Sequence, residues 1–226
     1  MSEHITRNVL LCGMTGSGKS TSLRNLPLEK TIYINTEAKF LPFKGTSRLK
    51  QSIKLIDPDE MLGGMDWIEE QDDVEYVVID SFSMLMDMWY MKHLAHADAR
   101  KTQQLWGEYK NFGMEVIMKM KASKKFYIMT GLMAESFDKF GVADSQYCKV
   151  QGSLAKAVES HFTVVAFTDV LEEKGKEPVY RLILGKTKER PIVTAKAPFQ
   201  FLDNKKVLDD NDIMVIVKEV EEFVVS

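Results

Sequence analysis

Apolar residues gather in short continuous runs along the first three quarters of the chain. Five stand out, at residues 9–12, 31–35, 76–80, 126–130 and 163–167. Rich in Val, Ile, Tyr and Phe and without polar alternation, they predict strands buried on both faces. The segments between them are long enough for crossovers. Residues 20–26 predict a short helix ended by Pro27, residues 59–70 a second helix, and residues 52–56 an additional edge strand. Residues 82–97 and 102–121 carry the spacing of long helices. Strands alternating with helices imply an α/β fold with a mainly parallel central sheet flanked by helices.

After Phe167 the texture changes. EEKGKEP separates VAFTDVL from VYRLILG, with PIVTAK following, which predicts an antiparallel hairpin. Residues 209–223 predict a C-terminal helix. The expected organisation is one domain over residues 1–226, with a core of about 8–168 and a hairpin-and-helix extension of about 169–226. Residues 131–152 have weak periodicity and follow a strand, so they read as a long loop of the functional kind.

The chemistry starts at residues 13–20, GMTGSGKS, which fit G-x-x-x-x-G-K-[ST]. Gly13, Gly16 and Gly18 let the backbone turn tightly, so that the N–H groups of Gly13, Met14, Thr15, Gly16, Ser17, Gly18, Lys19, Ser20 and Thr21 can surround a phosphate. Lys19 would reach the outer phosphates and the Ser20 hydroxyl would ligate Mg²⁺. A glycine-rich turn that happens to carry a lysine is the alternative, and the apolar run before it and helical run after it argue against that. In YVVID, four apolar residues place Asp80 at the C-terminal end of a buried strand, where ligands gather in open α/β sheets. Asp80 is the expected Mg²⁺-associated carboxylate; capping the next helix is its plainer role. Many P-loop ATPases have a catalytic glutamate immediately after that aspartate, but here the neighbour is Ser81. Glu37, just past the strand TIYIN, is the substitute on the same rim. A surface glutamate capping a turn is the alternative.

IYINTEAKF together with VVIDSFSML resembles the core of RecA and the archaeal and eukaryotic recombinases, whose members carry Y-I-D-T-E and V-V-I-D-S at these places. The resemblance covers about residues 8–196. It implies a RecA-like P-loop ATPase using ATP and Mg²⁺, with Glu37 as the catalytic base. Asn35 is a departure, since the recombinases often have aspartate there. The short length, LWGEY and KVQGSLAKAVESHF are similar to small bacteriophage ATP-binding proteins, some of which are single-strand annealing recombinases. The resemblance also implies a γ-phosphate sensor at Thr130, where the family usually has glutamine or asparagine. It implies cations given to a neighbouring subunit by Lys186, Lys188 and Arg190, which a solvated basic turn would equally explain. It further implies DNA contacts from residues 131–152, where Phe137, Lys139, Phe140, Tyr147 and Lys149 interleave aromatic rings with charge.

Composition trims the options. A formal net charge of −3 counts against a strongly basic nonspecific binder, without excluding a local basic groove. Two isolated cysteines imply neither a zinc site nor a disulfide framework. The 14 methionines read as adaptable packing. No apolar run is long enough for a membrane span and the N-terminus lacks signal-peptide regions, which predicts a cytoplasmic protein. The expectation is therefore an ATPase that self-associates into a ring or filament and acts on single-stranded DNA in phage-type recombination or annealing. An ATP-gated assembly or loader protein without direct DNA binding is one alternative, and a nucleotide or small-molecule kinase the other. The kinase is disfavoured because no arginine-rich lid segment follows the core.

Overall fold

A computed structural model describes residues 7–225. The stretch read for a signal sequence lies largely outside them. All five apolar runs are strands, and the α/β architecture with a mostly parallel sheet is observed. In chain order the strands are β1 (Asn8–Gly13), β2 (Thr31–Asn35), β3 (Gln51–Lys54), β4 (Tyr76–Asp80), β5 (Phe126–Phe137), β6 (Ala143–Cys148), β7 (Val164–Leu171), β8 (Val179–Ile183) and β9 (Val207–Leu208). They line up as β3-β2-β4-β5-β1-β7-β8-β9, with β6 paired to β5 off this path. Pairing is parallel from β3 to β7, while β7–β8, β8–β9 and β5–β6 are antiparallel.

Successive side chains of each central strand enter two separate cores, as the pleat requires. Leu10, Ile32, Ile34, Val77 and Ile79 pack beneath α1 (Met61–Glu69), α2 (Phe82–His93) and α3 (Thr102–Ala122). Val9, Leu11, Tyr33, Val78 and Ile128 face the other way, toward α4 (Ile213–Val225) and the short helix after the glycine loop. That two-sided burial explains why the strands read as continuous runs. Among the described residues no helix is long and apolar enough to cross a membrane.

The short helix expected at 20–26 is present as a 3₁₀ helix, Ser20–Asn25. Two expectations change. PIVTAK forms only isolated bridges, Gln146 with Val193 and Val165 with Lys196. Residues 131–152 are largely not a loop: β5 continues to Phe137 and turns back through β6. Past Gly131 the residues of β5 are half-buried or exposed, as on a sheet with a wet face, a weaker signal than a continuous apolar run.

The order has a consequence for chemistry. β5 lies between β1, which carries the glycine loop, and β4, which carries Asp80. In register, Leu11 faces Thr130 and Ile79 faces Met129, so the end of β5's buried half is wedged between loop and aspartate.

Candidate active site

The loop leaves β1 at Gly13, and close contacts shape it. A Cβ on Gly13 would come within 1.9 Å of Thr168 Oγ1 on β7. Gly18 has φ +92, and a Cβ there would meet Asn211 Nδ2 at 2.3 Å. Ser17 and Thr168 share a 2.5 Å hydroxyl hydrogen bond, and Asn211 Nδ2 donates to Gly18 O at 2.7 Å. Arg24, on the helix after the loop, donates to the carbonyl of Asn211 and to Asp210 Oδ1 at 2.7 Å. The segment before α4 therefore clamps the loop from behind. Lys19 is 8% exposed, its Nζ folded back onto the carbonyls of Gly13 (3.0 Å) and Met14 (2.8 Å). Burial pushes its pKa down, against the pull of the Asp80 and Glu37 charges.

Asp80 is 4% exposed and takes three hydroxyl donors. Ser20 reaches Oδ2 at 2.9 Å, Tyr33 the same oxygen at 2.7 Å, and Thr130 Oδ1 at 2.5 Å. Burial, and then the Asp80 charge, push the Tyr33 phenol far above its ordinary range, so it remains a donor. Ser20 and Asp80 thus present hard oxygen ligands beside the loop, a donor set that suits Mg²⁺.

Glu37 is positioned by register. Asn35 of β2 pairs with Asp80 of β4, so the chain two residues later runs alongside Ser81. Thr36 Oγ1 accepts from Ser81 N at 2.7 Å and donates to Ser81 O at 3.0 Å, which stitches the two ends together. Ser81, the N-cap of α2, donates from its hydroxyl to Glu37 Oε1 at 3.1 Å. Lys39 Nζ donates to Oε2 at 2.8 Å. Burial opposes ionisation of Glu37, but Lys39, Ser81 and the more distant Lys19 outweigh it and hold the carboxyl below its usual range. The departure at Asn35 also has a job: its amide donates to the Lys39 carbonyl at 2.8 Å, which an ionised aspartate could not do.

Gly16, Gly18, Lys19, Ser20, Thr21, Glu37, Lys39 and Asp80 line one cleft of about 360 Å³. Thr130 joins it through Asp80. The other expected residues lie apart. Phe137, Lys139 and Phe140 are exposed at the tip of the β5–β6 hairpin, with Lys139 Nζ 5.0 Å from the Phe140 ring centroid. Tyr147 pairs with Ala134 inside the hairpin, and Lys149 lies beyond β6, 3.9 Å from Asp87. Lys186 and Lys188 are exposed, with no ion pair among the described residues. Arg190 instead donates to Asp169 of its own chain, which also takes Arg181 at 2.5 Å.

Tyr33, Thr36, Thr168 and Asn211 were not foreseen as site residues. Tyr33 stands inside the motif that carried the resemblance, so its place was at least marked. Asn211 is 193 residues from Gly18, and no local pattern points to it.

A KaiC-like protein from the hyperthermophilic archaeon Pyrococcus horikoshii OT3 is similar in structure, at 16% identity and a TM-score of 0.46, over 82% of this chain and 81% of that one. A search of curated proteins returns no match. The family model described as an AAA domain matches residues 5–199. That match takes in the glycine loop and both carboxylates along with most of the chain, and so the chain belongs to the AAA domain family and is a P-loop ATPase.

Proposed function

We propose that this ATPase uses Glu37 as its catalytic base, works between subunits, and couples ATP to single-stranded DNA. The observation that carries the coupling is the continuity of β5. The strand begins its outer half at Thr130, whose hydroxyl touches Asp80, and runs to Phe137 at the exposed aromatic tip, its pairing with β6 shifting register between Ser136 and Phe137. A change in what Asp80 contacts therefore has a stiff route to a surface suited to base stacking.

The phosphates of ATP would lie against the loop N–H groups. Lys19 must leave the carbonyls of Gly13 and Met14 to reach them, an exchange of two neutral acceptors for an anion. Ser20 and Asp80 would hold Mg²⁺, which neutralises charge on the transferring phosphate. Glu37, kept ionised by Lys39 and Ser81, orients a water for attack on the γ-phosphorus as its bond to the bridging oxygen breaks, giving ADP and phosphate. Lys186 and Lys188 are available to a neighbouring site, whereas Arg190 would first have to leave Asp169. Mixing Lys19→Ala protein with Lys186→Ala/Lys188→Ala protein should then restore activity that neither has alone.

The deciding experiment is fluorescence anisotropy of a labelled single-stranded oligonucleotide, with and without a slowly hydrolysed ATP analogue. Nucleotide-dependent binding, lost in Phe137→Ala/Phe140→Ala, is expected. Absence of binding in both conditions, with ATPase activity intact, would favour the loader reading.

A further inference from the structure

Lys39 lines the same cleft as Lys19, Ser20, Glu37 and Asp80, and the chain goes to some length to put it there. Ala38 adopts φ +54, a left-handed conformation uncommon for a residue with a side chain, and this turns Lys39 back over Glu37. The amide of Asn35 fastens the far side of the turn at the Lys39 carbonyl. The ammonium ends 2.8 Å from Glu37 Oε2 and lines the cleft that holds Lys19, Ser20 and Asp80.

A stability role does not account for this arrangement. The Lys39 side chain is 72% exposed. An exposed ion pair of that kind contributes about 0–1 kcal/mol, too little to justify a strained residue beside it. It is, however, a suitable strength for an interaction meant to be exchanged. A γ-phosphate entering the cleft brings more negative charge than one carboxylate and presents several acceptors to a lysine with a long flexible stem.

We propose that Lys39 is a γ-phosphate-sensing cation supplied by the chain itself: it rests on Glu37 and transfers to the γ-phosphate when ATP binds. The transfer frees Oε2 of Glu37 for the attacking water at the moment the substrate arrives, and withholds it when the site is empty or holds ADP. No covalent step is involved. The coupling to hydrolysis rests on Glu37 being the base; the preference for a third phosphate does not.

The test compares the affinities of a fluorescently labelled, slowly hydrolysed ATP analogue and of labelled ADP, both with Mg²⁺. Lys39→Ala should reduce the triphosphate-to-diphosphate affinity ratio by about tenfold or more, because one charge-assisted contact is lost from the triphosphate alone. Lys39→Arg should keep most of the ratio. Glu37→Gln should raise it by removing the competitor for the ammonium, and in Glu37→Gln/Lys39→Ala that gain should vanish. Equal affinity changes for both nucleotides in Lys39→Ala, or none, would overturn the proposal. The reading of Glu37 is judged separately: unchanged steady-state turnover in Glu37→Gln would sink the base assignment while leaving the affinity ratio to decide the role of Lys39.

Discussion

Two buried aspartates flank the glycine loop, and their surroundings differ in kind. Asp80, 4% exposed, receives hydroxyls from Ser20, Tyr33 and Thr130. Asp169, 6% exposed, receives the guanidinium groups of Arg181 and Arg190. Hydroxyls satisfy lone pairs and orient a carboxylate without cancelling its charge. Two guanidinium groups oppose it with positive charge. A buried carboxylate held by hydroxyls can still attract a cation, whereas one already matched by arginines is a joint between strands. Both stand at the rim where the loop lies, so position alone does not separate the two roles proposed for them.

The largest expected effect tests that distinction directly. Asp80→Asn should lower ATPase activity by about 10³-fold, the several kcal/mol a well-placed metal supplies, with little change in melting temperature. A variant that hydrolyses ATP at the normal rate would break the comparison on its functional side. Asp169→Asn should do the reverse. It leaves buried Arg181 with only the exposed Glu189, 3.5 Å away, as counter-charge, which should cost about 3 kcal/mol in urea unfolding while the folded fraction still turns over. Unchanged stability would show that the arginine pair is not a joint.

Smaller changes sharpen the contrast. Tyr33→Phe removes one of the orienting hydroxyls from Asp80, and the Mg²⁺ concentration for half-maximal ATPase should rise by about tenfold, read from a Mg²⁺ titration. No shift in that titration would mean that Ser20 and Thr130 suffice to orient Asp80. The smallest effect belongs to the far side of the loop. Asn211→Ala removes the donor to Gly18 O but also a side-chain oxygen that has no partner among the described residues, so the net cost should be about 1 kcal/mol. It should appear as a several-fold rise in KM for ATP at unchanged kcat; a fall in kcat would place the C-terminal segment in the chemical step.

What could be read in the chain followed how local each signal was. GMTGSGKS is contiguous, and YVVID and TIYINTE each end a run whose hydrophobicity marks a two-faced strand. Loop, Asp80 and Glu37 were therefore legible, and they do share one cleft. The extension of β5 and the existence of β6 were not, because a one-sided hairpin of mixed polarity resembles a loop when no partner strand is known. Arg190 shows the same limit from the other side. Its K-x-K-x-R setting suggested a cation free for a neighbour, and the contact with Asp169 arises only when β7 and β8 pair.

The sequence by itself determined the five central strands, the glycine loop and the placing of Asp80 and Glu37 at strand ends, since backbone geometry, period and side-chain chemistry act over a few residues. Only the tertiary structure decided what those groups touch. The wedging of Thr130 against Asp80, the Ser81 hydroxyl on Glu37, the clamp of Asn211 on Gly18 and the neutralisation of Asp169 each depend on strand order and register. A hydrogen bond has a reach of about 3 Å whatever the separation along the chain. Which donor arrives within it is settled by how the whole sheet packs.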